Sequence, residues 1–174
     1  FPAATPLAPP LLSSYSLNEG LGLTAFDSSG NNISGTLTNG PLWTTGKYGN
    51  ALNFDGANDY VHLGSPSSLD NVNTFSYCAW VYPRNMGGQN DARILHKGSN
   101  SQRKQLQIES SVTNSLALYV DRGSSASRAV STTNALTLNQ WQYVCGTYSE
   151  ADGSRIYING TEALYYLRTV GSGA

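Results

Sequence analysis

The chain has 174 residues, with 10 Lys and Arg set against 11 Asp and Glu. That length suits one domain with a core of its own. A net charge of -1 and the lack of any basic patch argue against nucleic acid as a partner, and no apolar run approaches the roughly 20 residues that a membrane-spanning helix needs.

The opening "FPAATPLAPPLL" contains four prolines and no basic leader. It reads as a mature N-terminus or boundary, followed by an extended arm over residues 1–12. The domain itself is expected over 13–174. Next comes "AFDSSGNNISGTL", Ala25 to Leu37, rich in turn formers. It is either a plain loop or the rim of a metal or sugar site. Helical periodicity is nearly absent beyond it. Short β-rich runs alternate with turn clusters instead: "ALNFDG", "DYVHLG", "TFSYCAWVYP", "ARILHKG", "KQLQIES", "SLALYVD", "WQYVCGTYS", "SRIYING" and "EALYYLR".

In "TFSYCAWVYP", Phe75, Tyr77, Ala79 and Val81 alternate with Ser76, Cys78, Trp80 and Tyr82. Neither face is purely polar, so this strand is expected to be buried on both sides. Trp80 and Trp141 read as core residues, and Trp43 as an exposed one. Asn159-Gly160 supplies the positive φ angles of a tight hairpin turn. Neither an internal repeat nor a second domain is visible. The spacing predicts an all-β, two-sheet antiparallel sandwich.

Four stretches occur in order: "YSLNEGLGLTAFDSSGNN", "WTTGKYGNALNFDGANDYV", "FSYCAWVYP" and "NQWQYVCGTYSEADGSRIYINGTEA". Together they resemble the laminin-G-like jelly-roll family, within the concanavalin A-like lectin and glucanase superfamily. The resemblance runs from about Tyr15 to Ala163. It implies a jelly-roll of two curved antiparallel sheets. It also implies glycan binding, adhesion or a place beside a catalytic domain, and in many members a structural calcium.

Cys78 in "FSYC" and Cys145 in "YVC" resemble the pentraxin cysteine pair, carried on the same sandwich. That implies a disulfide, and with it an oxidising, extracellular or cell-surface setting. Two buried free thiols are the other reading. The family pattern continues past "YING" with strands that do not follow "YYLRTVGSGA". The sandwich is therefore expected to lack its final strands. The slot would be filled by the arm, by further sequence, or by a strand from a neighbouring subunit.

Glucanases on this fold set an acid and a nucleophile about 5–5.5 Å apart in retaining enzymes. Here Glu109, Asp121, Glu150 and Asp152 are dispersed, and His62 lies far from His96. No catalytic residue is expected. Calcium takes oxygen ligands from carboxylates, amides and carbonyls. Asp27, Asn31 and Asn32 offer them in one loop, and Asp55 and Asp59 could add charge. The plain alternative is an Asx-turn at Asp27 and a β-turn at Asp55-Gly56. Zinc lacks a suitable Cys/His cluster.

A sugar site needs an aromatic face and fixed polar groups. The segment from Tyr82 to His96 offers Tyr82, Arg84, Asn85, Gln89, Asn90 and His96. Asn32 and Asn159 head glycosylation sequons. Three functions compete. One is a secreted, non-catalytic recognition module binding carbohydrate or a cell-surface partner. Another is a structural subunit of an extracellular filament or surface assembly, completed by strand exchange between copies. The third is an accessory domain of a larger glycan-degrading enzyme.

Overall fold

The computed structural model describes residues 11–70, 72–85, 92–98, 102–109 and 111–170. The chain forms two compact units, the first ending at Leu69 and the second beginning at Asp70. In the first, the strands are short: β1 (Thr24–Ala25), β2 (Gly35–Thr38), β3 (Leu42–Thr45), β4 (Asn50–Asn53) and β5 (Tyr60–His62). β1, β2 and β5 form one antiparallel sheet, and β3 pairs with β4 in another. Gly35 lies against Val61 and Leu63 so closely that a Cβ would collide with both side chains. The missing final strands would leave the segment around Tyr15 without its usual family partner. That segment is tied down within this unit, by a bridge from Tyr15 to Asp27 and a 2.8 Å bond from the Ser28 N–H to the Ser14 carbonyl.

The second unit holds β6 (Phe75–Val81), β7 (Ala92–Lys97), β8 (Lys104–Glu109), β9 (Ser115–Arg122) and β10 (Ser125–Ser131). It continues with β11 (Gln142–Ser149), β12 (Gly153–Ile158), β13 (Thr161–Glu162) and β14 (Tyr165–Thr169). A five-stranded sheet runs β14-β10-β9-β8-β7, and a four-stranded sheet runs β13-β12-β11-β6. Every pairing is antiparallel. Leu106, Ile108, Leu116, Leu118 and Val120 from the first sheet share one core with Phe75, Val144, Tyr148 and Ile156 from the second. This is a β-sandwich core, although the described residues form four antiparallel sheets where the sequence suggested two.

Strand β10 was invisible in the sequence because it is built from small residues. Its hydroxyls take the place of bulk. Ser127 Oγ accepts from the Ser154 N–H at 2.8 Å, and Ser131 Oγ accepts from the Leu116 N–H at 2.9 Å. The hairpin turn is as expected: Asn159 and Gly160 have φ of 52° and 83°, and Ile158 faces Thr161.

Strand β6 corrects an expectation. It sits at the edge of its sheet with Ser76, Cys78 and Trp80 exposed. Trp80 is 41% exposed and pairs with Tyr143 at 5.4 Å. A mixed pattern looked like double burial, but the apolar groups of the outer face are a ring pair and a cystine. Cys78 and Cys145 lie directly opposite each other on β6 and β11 and are bonded. Trp43 is half-buried, its indole N–H donating to the Gly22 carbonyl at 2.9 Å.

Candidate functional site

The face of the five-stranded sheet turned away from the main core carries polar side chains beside a small apolar cluster of Val112, Ala117 and Val130, and much of it is buried. Side chains alternate along a strand, so Gln105, Gln107 and Glu109 of β8 lie opposite the core residues Leu106 and Ile108. Gln105 is 2% exposed, Gln107 0% and Glu109 5%. Burying such groups is costly unless they are hydrogen-bonded, and here they are bonded in series. Gln105 Nε2 donates to Gln107 Oε1, and Gln107 Nε2 donates to Glu109 Oε2 at 3.2 Å. Glu109 also accepts from the Tyr119 hydroxyl, and from the Ser111 N–H and hydroxyl at 3.1 and 2.8 Å. A carboxylate has about four acceptor positions. Glu109 is therefore saturated, which suits a structural anchor and not a proton-transfer group. At the other end of the series, Gln105 Oε1 is buried with no hydrogen-bond partner among the described residues.

Register carries this face across the sheet. His96 on β7 is opposite Gln105, Gln105 is opposite Tyr119 on β9, and Tyr119 is opposite Arg128 on β10. Arg103 and Arg128 both stack on the Tyr119 ring, at 4.8 and 5.4 Å from its centroid. Both approach Asp121, Arg103 Nε at 2.9 Å and Arg128 Nη2 at 3.9 Å. A cavity of about 310 Å³ beside the β9–β10 turn is lined by Arg103, Asp121, Gly123, Ala126 and Arg128. Partial burial, with Arg93 and Arg103 nearby, holds the His96 imidazole below its ordinary pKa.

The sequence-derived sugar candidates divide. His96 belongs to this face. Tyr82 lies just past β6, edge-on to Trp141 at 5.5 Å, and Arg84 and Asn85 follow it. Gln89 and Asn90 lie outside the described residues. Tyr82 to Asn85 precede the start of β7, whereas His96 is four residues along that strand from Ala92, about 13 Å at the strand rise. The sequence reading missed Arg103, Gln105, Gln107, Tyr119, Asp121 and Arg128 as a group. The alternation Lys-Gln-Leu-Gln-Ile-Glu in β8 was the available signal.

The metal candidates lie in the first unit. Asp27 Oδ1 accepts from the N–H groups of Ser14 and Ser29, both at 2.9 Å. Its Oδ2 accepts from the Ser29 hydroxyl at 2.8 Å and the Ile33 N–H at 3.0 Å. All four acceptor positions are engaged. Burial works to raise the Asp27 pKa, but these bonds outweigh it and hold the carboxyl well below the usual carboxylate range. Asn31 Nδ2 donates to the carbonyls of Leu11 and Leu12 at 2.9 and 3.0 Å, and Asn32 takes a positive φ of 57°. Asp55 Oδ1 accepts from the Ala57 N–H at 2.8 Å, while Asp59 Oδ2 accepts from the Asp55 N–H at 3.0 Å.

The arrangement at Asp27 is a loop staple. Asp27→Ala should lower the melting temperature of the protein by several degrees, and equally in calcium and in chelator. A calcium-dependent rise present only in the native sequence would instead assign a cation to the loop. A depressed folded pKa places this stability at neutral pH. It is lost as pH falls below the ordinary carboxylate value of 3.8, and the Asp27→Ala variant should show a shallower loss over that range.

The carboxylates that could serve catalysis are kept apart. Glu109 pairs with Ser115, six residues from Asp121 along β9, about 20 Å at the strand rise. Glu150 is paired with Arg122, and Asp152 lies 3.3 Å from Arg155. The sandwich and its disulfide define a β-sandwich domain of an extracellular or cell-surface protein. The family follows from the sequence itself. A model of the concanavalin A-like lectin/glucanases superfamily matches residues 55–166, and the chain belongs to that superfamily. It is also similar in fold to residues 221–444 of an S-layer domain-containing protein from Clostridium thermocellum ATCC 27405, solved at 2.1 Å. The two share 24% identity with a TM-score of 0.58, over 88% of this chain and 70% of that one. No curated protein matches the chain.

Proposed function

We propose that the protein is a secreted recognition module of the laminin-G-like kind, which binds carbohydrate through the outer face of its five-stranded sheet. The observation that carries this reading is Gln105 Oε1, buried and without a partner among the described residues, at the head of a hydrogen-bonded polar series. A buried acceptor without a donor costs about 1–3 kcal/mol, and a ligand hydroxyl would relieve that cost. His96 and Tyr119 flank Gln105 across the ladder, and Arg103 and Arg128 lie on the Tyr119 ring, the mixture of ring and donors that saccharides require.

Calorimetric titration of the whole chain with a panel of oligosaccharides tests the proposal. At least one should bind, and Gln105→Met should weaken it about tenfold or more under conditions where urea unfolding shows the variant still folded. If no saccharide binds, or if Gln105→Met binds as the native chain does, the reading is wrong.

A second reading is favoured by β6. Among the described residues it pairs only with β11, and Phe75–Val81 contains no charge, proline or bulge. Edge strands usually carry such features to block pairing with other chains. A strand donated by a second copy would complete this edge. Light scattering during the same titrations weighs it: a chain that stays monomeric at high concentration removes the assembly reading.

A further inference from the structure

We propose that the cavity beside the β9–β10 turn selects acidic saccharides, taking a carboxylate or sulfate group between Arg103 and Arg128. This rests on the glycan-binding reading and names the ligand class. The lining carries two guanidinium groups and one carboxylate, so it holds one positive charge in excess. The excess is concentrated on Arg128. Arg103 Nε is hydrogen-bonded to Asp121 at 2.9 Å, whereas Arg128 stands 3.9 Å from it, beyond hydrogen-bond range. Asp121 therefore anchors the first arginine and leaves the second with donors to spare.

Both guanidinium planes are held in place before any ligand arrives. Each stacks on Tyr119, and the Tyr119 hydroxyl is fixed by the buried Glu109. Arg103 is only one-quarter exposed, so its charge is less screened than that of an ordinary surface arginine. A planar fork of this kind matches the two oxygens of a carboxylate or sulfate. Arg93 extends the positive charge along β7. It is exposed and lies opposite Gln107 in register.

The test compares a hexuronate oligosaccharide and a sulfated one with a neutral hexose oligosaccharide of equal length, all titrated against the whole chain. The acidic ligands should bind at least tenfold more tightly, with affinity falling as salt rises. Arg128→Gln should remove that preference, lowering affinity for the acidic ligands at least tenfold more than affinity for the neutral one. Arg128 is nearly half exposed, so its replacement should fold normally. Arg155→Gln, which changes the net charge equally from the other sheet, should keep the preference. Equal affinity for acidic and neutral ligands, or an Arg128→Gln variant that still prefers the acidic ones, overturns this inference and leaves the glycan reading standing. Absence of binding by any of the three overturns both.

Discussion

Removing the Cys78–Cys145 bond should cost this protein roughly 4 kcal/mol, the chain-entropy value for closing a loop of its size. The bond closes a sequence separation of 67 residues. It joins two strands already opposite each other in the ladder, so the native geometry is in place before the sulfurs meet. Among the described residues β6 is held to its sheet through β11 alone, so losing the cross-link should loosen the whole edge strand. The double replacement Cys78→Ala with Cys145→Ala should unfold at a clearly lower urea midpoint than the oxidised native chain. Trp80, paired with Tyr143 beside the cystine, offers a fluorescence signal for the same transition. A double variant within about 1 kcal/mol of the native chain would show that the cross-link does little beyond what the ladder already does.

How much of this was readable in advance depends on what each residue does. The buried strands β8, β9, β11 and β12 were legible because their apolar alternation is strong and their boundaries are turn residues. The Asn159-Gly160 hairpin was legible because its backbone chemistry is local. The cysteine pair came from the pentraxin-like pattern, not from spacing. Strand β10 escaped because Ser127 and Ser131 fill their places by hydrogen bonding, which hydropathy does not register. Trp80 was misplaced because an aromatic residue on a strand reads as core until its neighbours across the ladder are known.

The polar face was the least visible feature. Gln105, Tyr119 and Arg128 are spread over three strands, with Arg103 just before the first, and only register and the stacking on Tyr119 bring them into one neighbourhood. The loop at Asp27 offered two readings in the sequence, a calcium ligand set and an Asx-turn. Which donors Asp27 would meet could not be read from the loop, since Ser14 is 13 residues away.

The packing between the two sheets gives the second large expected effect. Leu118 is 0% exposed at the centre of the shared core, so Leu118→Ala should destabilise the protein by about 2–5 kcal/mol. The glycine facing it explains why the site tolerates little change of either sign. A Cβ on Gly146 would lie 3.0 Å from Leu118 Cδ1 and 3.1 Å from Leu106 Cδ1. Those approaches are tight for carbon, and added bulk in a filled core costs about 1–3 kcal/mol. Gly146 has no such positive φ as other glycines in the chain, so the constraint is packing and not backbone conformation. The two positions should therefore be coupled. Gly146→Ala should destabilise the native chain, and should do so less, or even stabilise, when Leu118 is already alanine, because the methyl group then occupies space the leucine vacated. Contacting residues show interaction energies of about 0.5–3 kcal/mol in such cycles. Strict additivity in a urea-unfolding double-mutant cycle would mean that Gly146 is not held small by Leu118, and that the close approach of β11 to β9 has another cause.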